Sequence, residues 1–292
     1  SIPIKKVAKR LPAKAEASEK WRWLDDKVAA YKRKYPYPVD QTSSEAHAQL
    51  VHVRDRLVWA KAEVVYDDPT KKVGNRGHRA IASRLIKVIA QTQHEILLEA
   101  AYYIPQEMGI RMLRSVRRRG VRVRILTNSM VTNNMASAYA GYRRYRRALL
   151  ENDVELYELR PDLGTQNEFW SLVASDSAAI LHSKVVVLDR RITFIGSFNF
   201  DPRSIEVNTE IGLLVDSEDL AGRMIEFLDT GTKPGNSYRV ALEPIPHGNK
   251  DRLAWISEQQ GEEARVYKDP QAGLRRRISA WMISLLPIED HV

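Results

Sequence analysis

From residue 57 onward, short aliphatic runs alternate with longer stretches whose apolar residues recur three and four positions apart. Val58–Tyr66 reads as a strand turned by Asp67-Asp-Pro, His78–Gln91 as an amphipathic helix, and Glu95–Ala101 as an apolar strand. Gln106–Arg119 is the next helix, Val121–Leu126 the next strand, Asn134–Leu150 a further helix and Val154–Leu159 a further strand. Strand followed by helix, repeated, predicts α/β architecture. In such folds ligands gather at the carboxyl ends of strands, which singles out Tyr102 and Tyr103 after one strand and Asn128 after another as candidate pocket-lining residues.

The first 56 residues follow a different pattern. A basic lead containing Pro and Ala gives way to a helical period over Glu16–Lys34, with Trp21, Leu24, Val28 and Tyr31 on one side. Tyr35-Pro-Tyr-Pro breaks it, and Ser43–Arg54 is weakly helical. Residues 1–56 are therefore expected to be a linker and helical arm, and 57–292 the catalytic domain. The start at Ser1, without Met, suggests the continuation of a longer polypeptide.

Beyond the first four strands lies a polar stretch, 163–177, expected to be a mobile loop with the character of a lid. Three strands are then predicted, within Ile180–Asp189, Ile192–Ile195 and Glu206–Val215, followed by a helix at Ser217–Leu228 and a turn-rich connector at Gly231–Asn236. Short strands follow at Tyr238–Leu242, Leu253–Ile256 and Ala264–Tyr267. In the tail, Leu274–Leu286, three arginines precede Ile278, Trp281, Met282, Leu285 and Leu286. This pattern suits either a helix lying in a membrane interface or a core helix packed on the sheet.

Charge and composition narrow the classes. Lys and Arg number 46 against 37 Asp and Glu, a net charge of +9, which favours an anionic partner. Arginines cluster at 114, 117, 118 and 119 and at 143, 144, 146 and 147. Such runs are ordinarily solvated helix faces, with contact to lipid phosphates or an acidic partner as the alternative. Without cysteine there is neither a disulfide framework nor a thiolate metal site. No apolar run approaches the roughly 18 residues of a membrane span.

The chemistry is concentrated between Ile180 and Gly212. His182 and Lys184, two residues apart on a predicted strand, share a face, and Asp189 closes that strand. Ser197 and Asn199 share a face where the next strand ends in Gly-Ser-Phe-Asn, and Glu210 falls in the third strand. Three adjacent strands would bring an imidazole, an ammonium, a hydroxyl, an amide and a carboxylate to one end of a sheet. That set suits phosphoryl transfer.

The full pattern, His-x-Lys-x4-Asp-x6-Gly-Ser-x-Asn, resembles the signature of the phospholipase D superfamily. The resemblance implies a mixed sheet flanked by helices, no metal and no cofactor. It makes His182 the nucleophile or general acid, with Lys184 and Asn199 on the phosphate oxygens and Ser197 assisting. It makes Glu210 the group that orients the imidazole. Asp189, though part of the signature, is expected to tether a strand end or loop rather than touch substrate.

Further stretches, among them Glu63-Val-Val-Tyr-Asp-Asp-Pro and Gly196-Ser-Phe-Asn-Phe-Asp-Pro-Arg-Ser, are similar to the carboxyl half of bacterial cardiolipin synthases that carry two such motifs. That likeness implies transfer of a phosphatidyl group between two phospholipids, phosphatidylglycerol being one, at the surface of a bacterial membrane, with nucleic acid not expected as a partner. A phospholipase D or a nuclease using the same chemistry is the alternative. Only one motif is present, so the second is expected from an upstream half or from a second copy of this chain. An inert membrane-binding module is the contrasting reading, which the intact motif positions disfavour.

Overall fold

The computed structural model describes residues 18–26, 51, 54, 57–71, 79–162, 180–246, 248, 250–259 and 261–284. The chain divides into two units, Ser1–Val58 and Trp59–Val292. In the first unit, residues 18–26 are helical and expose Trp21 and Trp23. The remainder of the predicted 16–34 helix and most of the 43–54 stretch lie outside the described residues, as does the expected lid at 163–177.

The second unit is organised on one ten-stranded mixed sheet. Its strands are β1 (Lys61–Tyr66), β2 (Glu95–Ala100), β3 (Arg122–Asn128), β4 (Glu155–Leu159), β5 (Lys184–Leu188), β6 (Ile192–Gly196), β7 (Ile211–Asp216), β8 (Ser237–Pro244), β9 (Asp251–Gln259) and β10 (Glu262–Val266). They lie in the order β1-β7-β6-β5-β2-β3-β4-β8-β9-β10. The parallel pairs are β2 with β3 and β3 with β4, and every other neighbour is antiparallel.

The helices are α1 (Ala80–Gln91), α2 (Gln106–Arg118), α3 (Ala136–Glu151), α4 (Pro202–Glu206), α5 (Glu218–Gly231) and α6 (Leu274–Ser284). Alternation along each strand decides which layer a side chain joins. Leu98, Val186, Ile125 and Leu156 pack with residues of α1, α2 and α3 in the main core, whereas Leu97, Val185 and Val187 pack under Ala221, Ile225 and Leu228 of α5 on the opposite face. Central β2 is buried along its whole length. It is the strand on which both layers rest.

Three local expectations change. The strand carrying His182 begins only at Lys184, so His182 precedes it and the two do not share a strand face. The third strand begins at Ile211 rather than Glu206, because Asp201 caps a short helix, its carboxylate accepting from Ser204 N at 2.7 Å with Pro202 at the first helical position. The tail helix is neither wholly core nor wholly surface. It packs on α3 and buries Ala280 while leaving Leu274, Ile278, Trp281 and Met282 exposed.

One arginine of the second run does not face solvent at all. Arg146 is 1% exposed, paired with Glu158 at 3.0 Å and Asp269 at 3.1 Å and stacked against the rings of Tyr139, Tyr142 and Trp255. Helical period alone does not show this, since Arg143, Arg144 and Arg147 lie beside it in sequence and remain at least partly accessible.

Candidate active site

Antiparallel pairing carries the candidate residues to one edge of the sheet. Lys184 at the start of β5 pairs with Ala100 at the end of β2, and Gly196 at the end of β6 pairs with Gly212 at the start of β7. The amino end of β5, the carboxyl ends of β2, β3 and β6, and the entry to β7 therefore meet. His182, Lys184, Ser197, Asn199 and Glu210 all belong to these ends. The glycine pair permits the closeness, because a Cβ on Gly196 would stand 2.5 Å from the Ile211 carbonyl oxygen and 2.7 Å from the Gly212 Cα.

His182 is exposed, and its imidazole is held below its ordinary pKa by burial of its surroundings first and by the Lys184 charge second. The neutral ring therefore predominates at neutral pH, leaving a nitrogen lone pair for nucleophilic attack. Lys184 is 7% exposed and donates from Nζ to the His182 carbonyl oxygen at 2.7 Å. Burial lowers its pKa while Glu210 and Asp201 act in the opposite direction. An ammonium has three donors, so this bond leaves others to serve an anion at the edge.

Ser197 is exposed, with its hydroxyl donating to Glu210 Oε2, and Ile211 N donates to the same hydroxyl at 3.1 Å. Asn199 is half-buried, its Oδ1 buried without a partner and its backbone N–H donating to Ser204 Oγ at 3.3 Å. Glu210, expected to orient the imidazole, instead has its carboxylate occupied elsewhere. Ser204 Oγ at 2.9 Å and Asn208 Nδ2 at 3.1 Å donate to Oε1, in addition to Ser197 on the other oxygen. In this structure Glu210 positions the Ser197–Asn199 loop and α4 rather than the histidine ring.

Asp189 sits at the other end of β5. Together with Arg190 it has positive φ, 49° and 55°, in the tight turn between β5 and β6. Its carboxylate accepts from the backbone N–H groups of Gln93, His94 and Glu95 at 2.8, 2.7 and 3.0 Å. Burial alone would raise its pKa, but these three bonds outweigh it and hold the carboxyl below the usual range. These bonds tie the β5–β6 turn to the entry of β2, at the opposite end of β5 from Lys184.

Of the pocket candidates, Tyr102 is half-buried with its hydroxyl on Asn134 Oδ1 at 2.6 Å, and Tyr103 is 4% exposed against Phe200. Tyr103 is thus a packing residue rather than a substrate contact. Asn128, also expected at the pocket, is 1% exposed. Its Nδ2 donates to the carbonyls of Ala101 and Leu181, both at 2.9 Å, and its Oδ1 accepts from Leu181 N at 3.0 Å. It fixes the residue immediately before His182.

Two carboxylates escape the motif. Glu99 of β2 is fully buried, accepts from the hydroxyl of Ser183 and has a second oxygen without a partner. Burial pushes its pKa up to about 7, against the lowering effect of Ser183. Asp201, at the α4 cap, is raised to about 6, again by burial against its hydrogen bonds from Ser204. A Glu inside the apolar run Glu-Ile-Leu-Leu-Glu-Ala, and Asp-Pro-Arg-Ser as a helix start, were the available signals. Among the described residues no group of three His, Cys, Asp or Glu stands ready to hold a metal.

A family model described as cardiolipin synthase, PLD-like domain, matches residues 85–230. The chain belongs to this cardiolipin synthase-like family of the phospholipase D superfamily. It is 34% identical over 238 residues to cardiolipin synthase C of Escherichia coli, covering 80% of this chain and 48% of that protein. Cardiolipin synthase B of the same organism is 26% identical over 172 residues, covering 59% of this chain and 34% of that one. The chain therefore spans about half or less of the length of these curated relatives. Among solved structures, a phospholipase D family member, Nuc from Salmonella typhimurium, aligns with 62% of this chain and 99% of its own at 16% identity and a TM-score of 0.45.

The phospholipase D-like domain carries a testable ionisation beside its histidine. The folded-state pKa of Glu99 lies above the unfolded value, so its neutral form is the one the fold prefers. Its contribution is complete below about pH 4 and lost as pH rises through about 7, a span of roughly 3 kcal/mol at most. Urea unfolding at pH 5 and pH 8 should show Glu99→Gln gaining on the wild type at the higher pH. Equal differences at both pH values would contradict a raised pKa.

Proposed function

We propose that this domain supplies one of two catalytic halves of a phosphatidyltransferase that makes cardiolipin from two phospholipids, one of them phosphatidylglycerol. The observation that carries the reading is the convergence of an exposed, predominantly neutral His182 with Lys184, Ser197 and Asn199 at one sheet edge. Family membership and the cardiolipin synthase relatives support the substrate class.

In the proposed reaction, a nitrogen of one histidine attacks the phosphorus of the donor lipid and the phosphorus–oxygen bond to the departing alcohol breaks. A second histidine gives that alkoxide its proton. The acceptor hydroxyl then returns a proton to the second histidine and attacks the phosphohistidine, breaking the phosphorus–nitrogen bond and releasing cardiolipin. His182 takes one of these roles. Lys184 and the Asn199 amide stabilise the phosphoryl oxygens, where charge accumulates in the transition state. The second His-x-Lys site comes from another half of the assembly or from a second copy of this chain.

His182→Ala should reduce transfer in the assembled enzyme by at least about a thousandfold while leaving the unfolding midpoint close to wild type. Retained activity within about tenfold would remove His182 from the chemistry. The wild-type profile of kcat/KM should rise through an apparent pKa below about 6.5 if His182 is the nucleophile. Water replacing the acceptor, giving phosphatidic acid alone, would mark the chain as a hydrolase.

The same reading places the enzyme at a membrane surface. No described helix is long and apolar enough to cross a membrane. On α6, however, Leu274, Ile278, Trp281 and Met282 fall at helical spacing on one exposed stripe beside Arg275 and Arg276. The stripe is proposed to rest in the interface of an anionic bilayer. Ile278→Ser/Trp281→Ser should weaken sedimentation with phosphatidylglycerol vesicles without changing stability, and binding should weaken as salt rises. Unchanged sedimentation would return the stripe to a role in protein contacts.

A further inference from the structure

The arginine run of α3 and an arginine of α6 meet in space around a cleft of about 340 Å³. Arg143, Arg146 and Arg147 enter from α3, Arg277 from α6, and Lys268 from the segment before it, with Asp269 the one carboxylate in the lining. Arg146 is committed to Glu158 and Asp269. Arg147 faces Glu151 at 3.6 Å and donates to the Asp251 carbonyl oxygen at 2.7 Å. Arg143 and Lys268 have no ion pair among the described residues.

Arg277 donates from Nη2 to the Asp269 carbonyl oxygen at 2.8 Å, but its Nε is buried without any partner. A buried guanidinium N–H left unpaired is costly, and an acceptor entering the cleft would remove that cost. Counting Glu158 behind Arg146 and Glu151 beside Arg147, five cations stand against three carboxylates, so the cleft carries an excess of two positive charges. Trp255 and Tyr267 add ring surface to its walls.

We infer that this cleft is a second anion site, separate from the His182 edge, which takes a phosphate-class group by charge-assisted hydrogen bonds from Arg143, Arg277 and Lys268. A guanidinium offers parallel N–H donors that suit phosphate oxygens, and the partly accessible Arg143 and exposed Lys268 can close on an anion held over Arg277. None of these residues belongs to the proposed catalytic set. The inference therefore stands whether or not the domain transfers phosphatidyl groups. The anion has two natural sources, a free phosphate compound or the phosphodiester of an anionic lipid.

The test is Arg143→Gln/Lys268→Gln in the full chain, which removes two accessible charges and spares the buried Arg146 pair. Inorganic phosphate is titrated by calorimetry, and in parallel the chain is sedimented with vesicles of phosphatidylglycerol in phosphatidylcholine, with pure phosphatidylcholine as control. Loss of about fivefold in affinity per removed cation is expected, about twentyfold or more for the pair, in at least one arm. Loss in the phosphate arm identifies a site for small phosphates. Loss confined to the vesicle arm, in a background that retains Ile278 and Trp281, identifies a headgroup site. A double variant that binds both probes like wild type, or a wild type that binds neither, overturns the inference. His182→Ala should leave both titrations unchanged, and a parallel loss there would place the measured anion at the catalytic edge instead.

Discussion

The sheet edge that carries His182 depends on one buried carboxylate finding enough donors. Glu210 is 5% exposed, and a carboxylate so placed costs several kcal/mol unless its oxygens are hydrogen-bonded. Ser197, Ser204 and Asn208 meet that demand, and in doing so they bind the end of β6, the first turns of α4 and the approach to β7 to one point. Asp67 extends the brace. It accepts from Lys71 Nζ at 2.6 Å and Ile81 N at 3.2 Å, while its backbone N–H donates to the Glu210 carbonyl oxygen at 2.9 Å. The end of β1 and the start of α1 are thereby fixed to the same centre.

A comparable device holds the histidine from the other side. The Asn128 amide is spent on the backbone of Ala101 and Leu181, and Ser183 is anchored on Glu99, so the residues on both sides of His182 are fixed while the imidazole itself stays accessible. Under the proposed function, fixing the backbone and freeing the ring is a form of preorganisation, in which ordering is complete before substrate arrives. Burial raises the Glu99 pKa to about 7, so near neutral pH only part of a negative charge lies beneath the start of β5.

Much of this was legible in the residues. Aliphatic runs and helical periods located the sheet and its helices to within a few positions, because in β2, β3 and α2 local pattern and burial agree. The signature spacing singled out His182, Lys184, Ser197 and Asn199, and the pairing register brings them to one edge of the sheet. What the pattern does not carry is the set of donors chosen by each polar group. Glu210 reads equally well as a partner for the imidazole or for Ser197, and Asn128 as a pocket residue or as a backbone clamp, since pairing register decides between them. Arg146 shows the same limit, as one guanidinium of a basic run turned fully inward by Glu158 on a neighbouring strand.

The edge around His182 is proposed to perform only half of a two-histidine reaction. This proposal is tested most directly by purifying this chain, measuring its mass in solution, and assaying cardiolipin formation from phospholipid vesicles with and without a second polypeptide carrying its own His-x-Lys site. Product is expected when two such sites are assembled, whether from the added half or from a dimer of this chain, and none from a monomer. A monomer that forms cardiolipin unaided would contradict it.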